Sequence, residues 1–140
     1  MTDTSRHPYW RTPVIWLATA MGVAIVALAL RTMVDPVAVS ATFGLPMTTR
    51  SETGFVQVYG SRNLVLGLLA LIFIVARMGR ATALVFAAAA LLPPIDMWIV
   101  VSRIGAGPEL TRHIIIFVVL VVLAGLLWRR LRSADGVSAS

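Results

Sequence analysis

The sequence contains no cysteine and no lysine, and it has only six acidic residues among 140. Without cysteine the chain has no disulfide exchange, no thiolate nucleophile and no thiolate-bound metal. The HExxH zinc motif, the GxSxG nucleophile turn and the GxxxxGK[ST] phosphate loop are absent too, and the two histidines are not clustered. We therefore predict no metal site and no cofactor.

Apolar residues make up 59% of the chain and charged residues only 13%, whereas soluble domains have about 45–50% and about 25%. Four apolar runs are each long enough to cross a bilayer. We predict an all-α membrane four-helix bundle that forms a single domain over residues 1–132, with residues 133–140 as a disordered tail. The predicted spans are 13–30, 55–75, 82–101 and 113–128.

The net charge of +6 comes entirely from arginine. These arginines flank the apolar runs and form no patch or stripe, which favours a lipid bilayer over nucleic acid as the partner. Four spans place both termini on one side, and positively charged flanks stay in the cytoplasm. The sequence therefore predicts a multi-pass protein of the cell (cytoplasmic, inner) membrane with both termini cytoplasmic. Seven arginines lie on the terminal side and four on the other: Arg6, Arg11, Arg77, Arg80, Arg129, Arg130 and Arg132 against Arg31, Arg50, Arg103 and Arg112.

The longest connection between spans contains the stretch "DPVAVSATFGLP". Asp35 suits a helix N-cap, Pro36 the first helical position and Gly44 the C-cap. We predict a short amphipathic helix on the membrane surface between spans one and two. It is either a simple connector or a lid over whatever lies beneath it.

An arginine and an asparagine, Arg62 and Asn63, lie inside span two. If the span began after them, only residues 64–76 would remain, which is about 20 Å of helix against a bilayer core of about 30 Å. Tyr59 is on the same helical face, and Gly60 and Gly67 permit close approach of a neighbouring helix. We therefore expect a polar stripe that faces the interior of the bundle.

The counter-charge for Arg62 is Asp96 in span three. Both lie about two turns from the outer ends of antiparallel spans, so the depths match and we predict an ion pair. Pro93 and Pro94 just before Asp96 interrupt the span and free carbonyl groups one turn earlier.

A histidine, His113, opens span four on the same side, and its imidazole could act as a general base. We therefore take Asp96 and His113 as the candidate catalytic residues. Trp98 suits either a pocket wall or an interfacial belt. The candidate ligand-binding residues are Tyr59, Arg62, Asn63 and Trp98. The alternative is that the same polar set is a structural network that ties four helices together.

Three stretches carry a resemblance to a known family: "FGLP" at 43–46, "GSRNLVLGLLAL" at 60–71 and "PPID" at 93–96. They resemble a family of small four-helix membrane proteins from bacteria and fungi that is known only as a domain of unknown function. The resemblance covers roughly residues 14–130, and its most specific part is the core G-x-R-[DN]-x-x-L-G. It supports the fold and implies that Arg62 and Asp96 are the positions to watch. Members often have an acidic residue after the arginine, where this chain has Asn63.

Three functions are compatible with these patterns. The first is binding of a small lipophilic molecule in the outer half of the bundle, with or without catalysis on it. The second is an accessory subunit of a larger membrane complex. The third is a dimeric small multidrug-type transporter, but those proteins depend on a glutamate in span one, and span one here has no ionisable residue. Homo-oligomerisation is left open.

Overall fold

The computed structural model describes residues 9–43, 45–49 and 52–137. Within these ranges four segments are long and apolar enough to cross a membrane, and large apolar side chains cover their outer surfaces. The chain is therefore a multi-pass, all-α membrane protein, and the predicted fold class is confirmed. The four segments are Pro13–Val34, Gly54–Val75, Gly79–Ile104 and Leu110–Ser133.

Six α-helices follow a short 3-10 helix at Tyr9–Arg11 in the described part of the chain. They are α1 (Pro13–Val34), α2 (Pro36–Phe43), α3 (Gly54–Val75), α4 (Gly79–Ala89), α5 (Leu92–Ile104) and α6 (Leu110–Val137). α6 thus extends over residues 133–137, into the stretch for which a disordered tail was predicted. Gly44, predicted as the C-cap of α2, and residues 138–140 lie outside the described residues.

The two ends of the bundle differ in what they carry. We call the end with α2 and the turn at 105–109 the connector end, and the end with the start of α1 and the end of α6 the terminal end. The core of buried apolar side chains lies towards the terminal end, where α1, α3, α4 and α6 meet. Its largest fully buried members are Phe86, Ile15, Ile74 and Leu123.

The closest packing in the bundle is between α1 and α3, at three glycines. A Cβ atom on Gly67 would lie 2.8 Å from Cγ2 of Val26, and one on Gly60 would lie 3.0 Å from Cγ2 of Thr32. Gly22 on α1 lies against Leu71 in the same way. Small residues at such contacts let two helix backbones approach closely in a membrane, as predicted for Gly60 and Gly67.

Span three is two helices rather than one. Proline has no N–H to donate, and Pro93 and Pro94 lie in the first turn of α5, where the N–H groups would have no helical partner in any case. The chain therefore ends α4 at Ala89 and starts α5 at Leu92. α4 packs on both α3 and α6, whereas no Cα atom of α5 lies within 8 Å of a Cα atom of α3. The bundle is consequently open between α3 and α5 at the connector end.

The connection between α1 and α3 is held in place by its own polar groups. Oδ1 of Asp35 accepts a hydrogen bond of 3.2 Å from the N–H of Ala38, as an N-cap does. Oγ of Ser40 accepts one of 3.0 Å from the N–H of Met47, which folds the chain back across α2. The N–H groups of Thr49 and Thr48 donate to Glu52, and these hydrogen bonds lower the pKa of its carboxyl group. These bonds fix α2 above the gap between α3 and α5.

Candidate functional site

A central cavity of about 290 Å³ lies among the four spans. It is close to the lower limit of the roughly 300–1,000 Å³ of pockets that hold drug-sized ligands. From His113 the lining follows α6 to Leu120, about 10 Å deeper in the bundle. The lining residues are Met21, Ala24, Ile25 and Leu28 of α1, Tyr59, Asn63 and Leu66 of α3, Ala89 of α4, Leu92, Pro93 and Asp96 of α5, and His113, Ile116 and Leu120 of α6.

The polar groups of this cavity are all towards one end. Tyr59, Asn63, Asp96 and His113 come from three different spans and converge near the connector end. The deeper part of the cavity is lined by apolar side chains only. The cavity is thus polar at one end and apolar at the other.

The predicted ion pair between Arg62 and Asp96 is present but loose. Nη2 of Arg62 lies 3.8 Å from Oδ1 of Asp96, which is longer than the 2.7–3.2 Å of a typical N–H···O hydrogen bond. The side chain of Asp96 is 9% exposed and that of Arg62 is 45% exposed. The guanidinium carbon of Arg62 also lies 5.2 Å from the centre of the Tyr59 ring, within the range of a cation–π contact.

A second cavity of about 160 Å³ lies beneath α2, between α3 and α5. Arg62 lines this cavity and not the central one, whereas Tyr59 and Asp96 line both. These two side chains therefore form the partition between the cavities. The guanidinium group of Arg62 reaches Asp96 from the far side of that partition.

The histidine at the start of α6 is deeply buried. His113 is 4% exposed, and its Nε2 atom has no hydrogen-bond partner among the described residues. Leaving a buried donor or acceptor unpaired costs about 1–3 kcal/mol. Because the ring lines the central cavity, a molecule in that cavity could supply the missing partner.

An aromatic residue of α2 closes the connector end of the site. The ring of Phe43 makes edge-to-face contacts with Tyr59, at 5.0 Å between ring centres, and with His113, at 4.9 Å. It thus packs on two of the polar residues at once and also lines the second cavity. We did not predict Phe43 as a site residue, although it lies in the FGLP stretch that carries the family resemblance.

A family model described as "Domain of unknown function (DUF4267)" matches residues 22–127. The chain belongs to this family. The match runs from the middle of α1 into α6, so it contains the lining of both cavities except Met21. Comparisons with curated proteins and with solved structures each found no match.

One predicted site residue of the DUF4267 domain lies elsewhere. The side chain of Trp98 is 73% exposed on the outer surface of α5 and lines neither cavity. Two residues along a helix correspond to a rotation of about 200°, so Trp98 and Asp96 point to nearly opposite sides. Trp98 therefore lies outside both cavities, and its position suits the membrane surface of the protein.

The chemistry available in this DUF4267 domain is proton transfer and hydrogen bonding. The carboxyl group of Asp96 and the imidazole of His113 can each give or take a proton, and both line the central cavity. The described residues include no group of three or more His, Cys, Asp or Glu side chains that could hold a metal ion.

Proposed function

We propose that this protein binds a small lipophilic molecule in the central cavity, with the polar end of the molecule at the connector end. The observation that carries this proposal is the distribution of polarity: four polar side chains at one end of an apolar cavity, one of them with a buried, unpaired Nε2 atom. Burying a polar group without a hydrogen bond is unfavourable. An amphiphilic occupant would fill the apolar part and supply that hydrogen bond.

The loose geometry of the polar set supports binding over a purely structural role. A network that only ties helices together is expected to bring its donors and acceptors within hydrogen-bond distance. Here the Arg62–Asp96 separation is 3.8 Å and His113 retains an unpaired nitrogen. Asp96 and the ring of His113 both line the central cavity, so a molecule there would lie beside both.

The same geometry supports a reaction on the bound molecule as an extension of binding. Asp96 would act as the acid or base on one side of the polar end and His113 on the other. Tyr59 and Asn63 would orient the polar end, and Arg62 would stabilise negative charge that develops near Asp96. Proton-transfer reactions such as isomerisation of an unsaturated chain need no more than these groups and an apolar cavity.

The test of binding is to fill the cavity from within. Leu66 lines the central cavity, whereas Leu68 on the same helix is exposed on the lipid side. We expect wild-type protein purified from its native membrane to carry a lipophilic molecule that native mass spectrometry detects. We expect Leu66→Trp to weaken binding about tenfold or more, with a matching fall in occupancy, because losing a well-packed apolar contact of this size costs at least about 1.4 kcal/mol.

The matched control is Leu68→Trp, which adds the same side chain on the lipid-facing side. It should retain the wild-type occupancy and the wild-type unfolding midpoint. A wild-type protein that never carries a lipophilic molecule, or a Leu66→Trp protein that is folded and fully occupied, would contradict the proposal. An accessory or structural role predicts the first of these outcomes.

We also propose that the protein lies in the cytoplasmic membrane with both termini in the cytoplasm, on the strength of the arginine distribution. Because the chain has no cysteine, a single cysteine can be introduced and labelled without any reaction at native cysteines. We expect Ala106→Cys, in the exposed turn at the connector end, to react with a membrane-impermeant maleimide in intact cells. Ser133→Cys near the terminal end should react only after lysis. The reverse labelling pattern would show that the connector end faces the cytoplasm and would contradict the proposed topology.

A further inference from the structure

The charges around the two cavities balance each other. Among the described lining residues the charged side chains are Arg62 and Asp96, which face each other at 3.8 Å. Arg112 lies one residue before His113, but it is exposed and lines neither cavity. A bound molecule with a charged head would therefore add one uncompensated charge to surroundings of low dielectric constant. That is costly inside a membrane protein, whereas a neutral head adds none.

The hydrogen-bonding groups of the cavity point to a head that both donates and accepts. An ionised Asp96 only accepts hydrogen bonds, whereas a neutral imidazole has one donor and one acceptor nitrogen. The unpaired Nε2 atom of His113 needs a partner of either kind. A hydroxyl group has one hydrogen to donate and two lone pairs to accept with. When Nε2 carries the hydrogen, the hydroxyl can donate to Asp96 and accept from Nε2; when Nε2 is the acceptor, the hydroxyl can donate its one hydrogen to Nε2 instead.

The size of the cavity limits the rest of the molecule. About 290 Å³ is at the lower limit of cavities that hold drug-sized ligands, which favours one apolar chain over two. We infer that the ligand is a single-chain amphiphile whose head is a small neutral hydroxyl group, rather than a carboxylate or an amine. This inference rests on the proposed function, because it concerns the occupant of the same cavity.

The experiment compares four probes of equal chain length that differ only in the head: decanol, decanoic acid, decylamine and decane. The full-length protein in lipid nanodiscs carries His7→Gln, so that His113 is its only histidine. Nitrogen-15 NMR of that histidine reports hydrogen bonding at Nε2. The methyl signal of Met21, which lines the cavity, reports occupancy whatever the head. Met33 lies on the same helix but is exposed, so its methyl signal is the control for effects of the lipid phase.

We expect decanol to shift the signals of Met21 and of Nε2 and to leave Met33 unchanged. Decanol should reach half-saturation at a concentration about tenfold lower than decanoic acid or decylamine, which is the effect of one good hydrogen bond without a charge penalty. Decane should shift the methyl signal of Met21 and leave the Nε2 signal of His113 unchanged. If decanoic acid or decylamine binds as tightly as decanol, the inference is wrong while the proposed function stands. If no probe shifts Met21, both are wrong.

Two charge variants test the reason for the preference. Arg62→Gln leaves Asp96 as the charged lining residue, so decylamine should gain about tenfold over its wild-type affinity and bind more tightly than decanoic acid. Asp96→Asn leaves Arg62 as the charged lining residue, so the affinity of decanoic acid should rise about tenfold over its wild-type value and exceed that of decylamine. Arg103→Gln removes an exposed arginine at the connector end and should keep the wild-type order. An unchanged order in both lining variants would overturn the charge-balance argument, and the wild-type series decides the inference even if one variant does not fold.

Discussion

Gly67→Ala, which adds a single methyl group, is expected to lower the free energy of unfolding by about 1–3 kcal/mol. The new Cβ atom would lie 2.8 Å from Cγ2 of Val26 and 3.2 Å from the backbone nitrogen of Val26. Val26 is β-branched and has essentially one rotamer in a helix, and a backbone atom cannot rotate away. The two helices must therefore separate. Because lipid provides no hydrophobic force between helices, their association depends on the close contact that would be lost.

The same substitution should also impair the candidate site. α3 carries Tyr59 and Asn63, whereas Asp96 and His113 are on α5 and α6. Moving α3 away from α1 changes the position of the first two residues relative to the others. We expect Gly67→Ala to lower the occupied fraction of the central cavity as well as stability. Reversible unfolding in mixed micelles measures the first effect and native mass spectrometry the second.

Gly125 provides the control for this prediction. It is an exposed helical glycine in α6, and a Cβ atom there would have no atom outside its own helix turn within 4 Å. Gly125→Ala should raise the free energy of unfolding by up to about 1 kcal/mol, because alanine has the higher helix propensity. If Gly67→Ala proves as stable as Gly125→Ala, the close packing of α1 on α3 does not contribute to stability.

The spans and the Arg62–Asp96 pair could be predicted from the sequence because each depends on a simple count. Span length follows from the number of consecutive apolar residues. The depth of a charge follows from its distance to the end of its span, and two charges at equal depth in antiparallel helices can meet. The break in span three was equally accessible, since adjacent prolines remove two consecutive N–H groups.

The contributions of α1 and α2 could not be predicted in this way. Met21 and Leu28 line the central cavity, but they lie in an apolar span with no ionisable residue to show which face turns inward. The contact of Phe43 with both Tyr59 and His113 depends on how α2 folds back, and residue spacing within the connection does not determine this. The position of Trp98 outside both cavities was accessible from the sequence, because two residues along a helix place it opposite Asp96.

The gap that contains the site follows from the break in span three. If α4 and α5 formed one straight helix, the contact of α4 with α3 would continue towards the connector end and leave little room for the cavity. α5 begins at Leu92 and its backbone does not contact α3, so only side chains bridge the space between the two helices. Nη2 of Arg62 and Oδ1 of Asp96 approach to 3.8 Å across this space. Removing that pair is therefore the strongest test of whether the Arg62–Asp96 contact stabilises the bundle or takes part in ligand binding.

We expect Arg62→Met alone to lower the free energy of unfolding by about 1–3 kcal/mol, because it leaves the buried carboxyl group of Asp96 without its counter-charge. The value lies below the about 3–5 kcal/mol for breaking a fully buried pair, since Arg62 is 45% exposed and makes no hydrogen bond at 3.8 Å. The double variant Arg62→Met/Asp96→Leu removes both charges and should return to within about 1 kcal/mol of the wild type.

The pair could either stabilise the bundle or take part in ligand binding. Measuring the occupancy of the cavity distinguishes these two roles, whereas measuring stability alone does not. In the double variant the polar end of the ligand loses the carboxylate of Asp96 as a hydrogen-bond acceptor, and we expect its affinity to fall about tenfold or more, with lower occupancy, despite restored folding. Unfolding in mixed micelles and native mass spectrometry on the same preparations give both quantities. A double variant that is stable and still fully occupied would show that the pair only holds the helices. A stable variant with an empty cavity would show that the charge on Asp96 is retained for the ligand, because the fold does not need it.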